Sequence, residues 1–168
     1  MNAAALVLDS GPRLRRLAPG ESAELARLLD GLAYPNTDAP DLAPAAGGAF
    51  VSELLPGEVL FEPGEPVRSV VIVRSGMLLS AQLGPDGRPR RLRVLGPGAV
   101  LGEVEALAEA PLGARVSAVV GAQVFLLPRD AYACLLDANP AVRSHLLDLR
   151  RGRRAASLRA ALSGRRPT

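Results

Sequence analysis

The chain has 168 residues, enough for one domain with a real hydrophobic core and some helical decoration, and short for two independent domains. With no Trp and aromatics at only 3%, that core has to be built from Leu, Val, Ile and Ala. All 20 basic residues are Arg, and a net charge of +3 is modest beside that of a dedicated nucleic-acid binder, so charge alone assigns no partner.

The N-terminal third is expected to be decoration. Up to about Ala18 there is no clear period, which reads as a partly ordered arm. From Pro19 the spacing of Leu25, Leu28, Leu29 and Leu32 predicts a short amphipathic helix. Pro35, Pro40, Pro44, Gly47 and Gly48 then interrupt the chain, so residues 34–48 read as a linker or surface loop. Residues 1–49 form the first unit of this reading.

After Phe50 the period falls from 3.6 to 2, and short apolar runs alternate with Gly and Pro, the pattern of an all-β region. The predicted strands are 52–55, 59–61, 69–74, 77–83, 90–95, 114–119 and 123–128. Asp86-Gly87 is a hairpin signal between two of them. A helical turn is expected over 104–108 and a helix over 130–138. The fold class is therefore mainly β with flanking helices, an antiparallel, jelly-roll-like β-roll over residues 50–138.

Residues 139–168 form the third unit, a long C-terminal helix over 140–162 followed by a basic tail. Pro140 suits its first turn, and Val142, Leu146 and Leu149 make a narrow apolar stripe. Arg150, Arg151, Arg153 and Arg154 make a basic run that could dock an acidic protein partner.

Several chemistries are excluded by inventory. Cys134 is the sole Cys and His145 the sole His, so neither an internal disulfide nor a multi-His metal centre can be built. No nucleophile–base set is arguable, so no enzyme is expected and no cofactor. No segment reaches the apolar length that spans a bilayer, and a cytoplasmic location is expected.

The spacing of Leu55-Pro56-Gly57-Glu58, Pro63-Gly64-Glu65, Ser69 to Val73, Gly76, Gly96-Pro97-Gly98, Leu101-Gly102-Glu103, Pro111, Val116, Ala118 and Leu127-Pro128-Arg129-Asp130 is specific. It resembles the cyclic-nucleotide-binding domains of bacterial catabolite-activator-type regulators, cyclic-nucleotide-dependent kinases and gated channels. The resemblance implies a sensor or regulatory module of Crp/Fnr-like type that binds cAMP or cGMP. It also implies a phosphate-binding cassette at 102–115, in which Glu103 accepts a hydrogen bond from the ribose 2′-hydroxyl. Gly102, Glu103, Val104, Gly113, Ala114 and Arg115 are the ligand-binding candidates. The chain departs from the family at Leu112, where the phosphate-binding Arg belongs. Arg115, expected to face the pocket mouth with Gly113 while Ala114 and Val116 face away, is the candidate replacement. The alternative is a ligand-independent interaction or dimerisation module that has lost nucleotide binding.

The same resemblance implies a homodimer contact through the 140–162 helix, whose apolar stripe could equally fold back on its own roll. The 28 residues after Pro140 are fewer than the roughly 60 that a helix-turn-helix domain needs, so sequence-specific DNA binding is not expected.

Overall fold

In a computed structural model, the structure describes residues 13–32 and 48–138, together with Ser144, Asp148 and Arg151. The loop expected at 34–48, all but Gly48, and His145 lie outside the described residues. So does most of the 140–162 helix, of which only Ser144, Asp148 and Arg151 are described, all helical. Of the basic run, only Arg151 is described; it is exposed and lies 3.9 Å from Asp148.

Nine strands, β1 (Arg13–Arg16), β2 (Phe50–Leu54), β3 (Val59–Phe61), β4 (Ser69–Ser75), β5 (Leu78–Leu83), β6 (Pro89–Leu95), β7 (Val100–Leu101), β8 (Arg115–Ala118) and β9 (Ala122–Pro128), pair into two antiparallel sheets. Their orders are β1-β2-β9-β4-β7 and β3-β8-β5-β6. Helices α1 (Pro19–Leu32), α2 (Glu103–Ala108) and α3 (Arg129–Ala138) flank the sheets. This is the β-roll with flanking helices that the alternation of short apolar runs implies.

Two strands depart from the sequence reading. Residues 13–16, expected within a partly ordered arm, form edge strand β1, with Arg13 opposite Glu53 and Arg16 opposite Phe50. Backbone pairing to β2, the Arg13–Glu53 opposition and Arg16 over the Phe50 ring at 5.4 Å hold a stretch whose sequence has no alternation. The second, β7, has only two residues and pairs with Val71 and Ile72.

The core lies between the sheets and under the helices. Ser69 to Val73 of β4 are all buried, as a strand covered on both faces requires, and α3 rests on β4 and β9. Ile72, Phe125, Leu126 and Leu127 are at most 2% exposed, and each contributes roughly 1.5–3 kcal/mol by its removal from water.

α1 starts where local chemistry dictates. Pro19 occupies its first position, and the Glu21 carboxylate reaches back to the Ala18 N–H at 2.9 Å, one half of a capping box. Leu25 and Leu29 carry it into the core. Its acidic side is clamped by Arg74 of β4, which donates to Glu21 at 2.6 Å and to both oxygens of Glu24 at 2.8 and 3.1 Å. The Arg74 guanidinium also lies 5.4 Å from the Phe125 ring centre.

Candidate ligand-binding site

Between β7 and β8 the chain makes an excursion that carries the carboxylates Glu103, Glu105 and Glu109. Gly102 turns it with φ of +79°, and a Cβ there would stand 2.9 Å from Cγ1 of Val67, so both conformation and space demand glycine. α2 follows, its first full-length bond running from the Ala106 N–H to the Gly102 carbonyl. It ends at Glu109, the one non-glycine with positive φ among the described residues. That conformation costs about 1–2 kcal/mol, and two contacts hold it: the Glu109 N–H bonds the Glu105 carbonyl, and its carboxylate pairs with Arg129 at the start of α3. The return leg is fastened by a Pro66–Pro111 bridge and by the Val67 N–H on the Ala110 carbonyl at 3.0 Å.

Of the residues expected at the ligand, Gly102 and Glu103 are buried and Val104 is partly buried on α2. Glu103 is 8% exposed, and its Oε1 accepts from the hydroxyl of fully buried Tyr132 on α3 at 3.4 Å. Gly113 is exposed, and a Cβ built on it meets nothing within 4 Å, so its backbone borders open space. Ala114 is buried at the entry to β8. Leu112 is partly buried and packs against the hydrophobic core, so no cation stands at that position.

Register fixes which way Arg115 points. Leu78, Leu95 and Ala118 oppose one another and are buried, which marks the inner face of the four-stranded sheet. Two residues along, Ser80, Arg93 and Val116 share that face. Arg115 lies opposite Ala81, in the same row as Leu92, on the outer face, where its guanidinium is 3.2 Å from Glu62. The alternation expected around Ala114 and Val116 is present, but their side is the interior. The expected turn of Arg115 toward the pocket mouth is therefore corrected: the sheet register sends it outward to the carboxylate of Glu62, the residue just after β3.

Sequence reasoning missed Tyr132 and the inward rows of β5 and β6. A Tyr within an amphipathic helix gives no sign of its hydroxyl partner. The phase of β6 is also ambiguous in sequence, because Leu92 and Val94 compete with Leu95 for the inner face. Among the described residues, no helix is long and apolar enough to cross a membrane.

Comparison with known proteins agrees with the geometry. The chain is 28% identical over 109 residues to a CRP-like cAMP-activated global transcriptional regulator of Mycobacterium tuberculosis, matching 62% of this chain and 49% of that protein. The crystal structure of the catabolite activator protein of Thermus thermophilus superposes with a TM-score of 0.62 at 27% identity, covering 88% of this chain and 61% of that one. The regulatory domain of Toxoplasma gondii PKA, solved with cAMP, gives 0.62 at 28% identity, covering 70% and 45%. The chain spans about half the length of the curated relatives it matches. The family model for the cyclic nucleotide-binding domain matches residues 51–139, and with the two-sheet roll and the turn at Gly102–Glu103 in place, the chain belongs to the cyclic nucleotide-binding domain family.

Proposed function

We propose that the chain is a non-enzymatic sensor or regulatory module that takes a cyclic nucleotide, cAMP or cGMP, at the 102–115 segment. The observation that carries this reading is the conjunction of a buried glycine–glutamate turn at Gly102–Glu103 with an open backbone at Gly113, inside a roll whose family is that of cyclic-nucleotide-binding domains. Gly102, Glu103 and Val104 supply one wall of the site, and Gly113 and Ala114 the other. Glu103 is the acceptor for a ribose hydroxyl, which exchanges with the Tyr132 hydroxyl. The cassette is partly degenerate, because Leu112 removes a charge-assisted bond worth roughly 1.5–3 kcal/mol, about ten- to a hundredfold in affinity. A cytoplasmic location and a homodimer through the 140–162 helix fit this reading.

The second reading, a ligand-independent interaction or dimerisation module, is favoured by Leu112 itself and by the exposed side chains of Leu92 and Val94 on the outer sheet face. Thermal melts in cAMP and in cGMP separate the two. A ligand at a hundred times its dissociation constant adds about 2.7 kcal/mol, which raises the melting temperature by several degrees in a protein of this size. No shift with either nucleotide up to millimolar concentration leaves the interaction module as the function.

A further inference from the structure

Strand β6 carries its side chains in the reverse of the usual sense. Leu92 and Val94 stand on the outer face, 57% and 62% exposed, in the rows of Ala81 and Leu79. Arg91 and Arg93 stand on the inner face, opposite Gln82 and Ser80. A half-buried strand normally turns its apolar side inward. Here the inner face is apolar where Leu95, Leu78 and Ala118 meet and at buried Val116 in the next row, while its β5 and β6 positions become polar and cationic toward the open end, with Ser80, Gln82, Arg93 and Arg91.

That open end is where the 102–115 segment enters the sheet. Arg93 shares its inner row with Val116, two residues beyond Ala114, and β6 stands two strands from β8, about 10 Å away. An extended arginine side chain crosses most of that gap. Among the described residues, no ion pair involves Arg91 or Arg93, as none involves Arg13, Arg16, Arg27, Arg88 or Arg90, so neither guanidinium is committed to a carboxylate.

We propose that Arg93, flanked by Arg91, is the cation of this pocket and faces the phosphate of a nucleotide held at 102–115, in place of the charge missing at Leu112. The proposal rests on the nucleotide reading above and names a residue for it.

Calorimetric titration of the full chain with cAMP and with cGMP, in the wild type and in Arg93→Gln, Arg91→Gln and Arg115→Gln, tests it. The expected result is that Arg93→Gln weakens both ligands by about ten- to a hundredfold, that Arg91→Gln weakens both by less, and that Arg115→Gln leaves both unchanged. The melting temperature without ligand stays at the wild-type value in Arg93→Gln, because that side chain is exposed and outside the packed core. Wild-type affinity in Arg93→Gln overturns the assignment while the nucleotide reading stands. A loss confined to cGMP shows that Arg93 reads a base edge and overturns its phosphate role. A wild-type chain that binds neither nucleotide overturns the nucleotide reading, and this assignment with it.

Discussion

The hydroxyl of Tyr132, on α3, donates to Oε1 of Glu103, on α2, across 3.4 Å of buried space. This contact joins the segment proposed to hold a ligand to the helix that leads toward the C-terminus, so it is a point where occupancy and helix position can be coupled.

Tyr132→Phe removes the hydroxyl and keeps the ring. The bond is long, and the expected cost is about 1 kcal/mol, read as a melting temperature lower by about 2–4 °C. Glu103→Gln keeps an acceptor oxygen and is expected to stay closer to the wild type than Glu103→Ala, which also vacates a buried volume. If Tyr132→Phe and Glu103→Ala melt at the wild-type temperature, the contact does not hold α2 to α3.

Glu21 gives the fold an acid sensitivity. Its side chain is 12% exposed, and its carboxylate accepts from Arg15 at 2.6 and 2.7 Å, from the Ala18 N–H and from Arg74. These bonds, Arg15 first, hold its pKa well below the ordinary 4.5. A carboxyl depressed in the folded state lends stability that is complete above its unfolded pKa and is lost as pH falls through the folded one. Stability is therefore expected to drop progressively from about pH 4.5 downward, while the Arg partners stay charged throughout. Thermal melts across this range at fixed ionic strength should show a shallower fall in Glu21→Gln; an identical slope would remove Glu21 from the account.

The roll was largely legible because its strands announce themselves by alternation and by the glycines between them. β3 (Val59–Phe61) is found at the predicted residues, and the other expected strands end within one or two residues of their predicted bounds. β1 was illegible for a physical reason. Arg13, Leu14, Arg15 and Arg16 have no apolar face to give a period, and their strand exists because β2 offers a free edge and Glu53 an opposing charge. The site was legible at Gly102 and Glu103, where spacing carries the signal. It was misread at Arg115, because alternation says which residues share a face but not which face is the interior. The buried opposition of Leu78, Leu95 and Ala118 settles that, and it is a property of three strands together.

The two glycines of the cassette are expected to respond differently to Ala. Both have positive φ, +79° at Gly102 and +72° at Gly113, so each substitution carries a conformational cost of about 1–2 kcal/mol. At Gly113 the added methyl meets open space and the cost ends there. At Gly102 it stands 2.9 Å from Val67 Cγ1 and 3.4 Å from the Ser69 carbonyl oxygen, and an overpacking cost of about 1–3 kcal/mol is added. Urea melts should therefore rank Gly102→Ala clearly below Gly113→Ala; equal midpoints would mean that β4 and the residues before it yield freely around the turn.

Leu112→Arg places a guanidinium where the family resemblance implies a phosphate-binding Arg, and it tests the proposed role of Arg93 by coupling. Leu112 packs against the core, so the variant is expected to lose about 1–3 kcal/mol of stability unless the longer chain escapes to the open side beside Gly113. Its affinity for both nucleotides is expected to rise by about tenfold or more, as a new charge-assisted bond to phosphate requires. If Arg93 already serves that phosphate, the two cations share one anion, and the loss caused by Arg93→Gln shrinks when Leu112→Arg is present. Two residues that act on separate parts of the ligand give additive changes instead. A double-mutant cycle on the two positions, read by calorimetry, therefore reports whether Arg93 and position 112 address the same charge, and strict additivity argues that they do not.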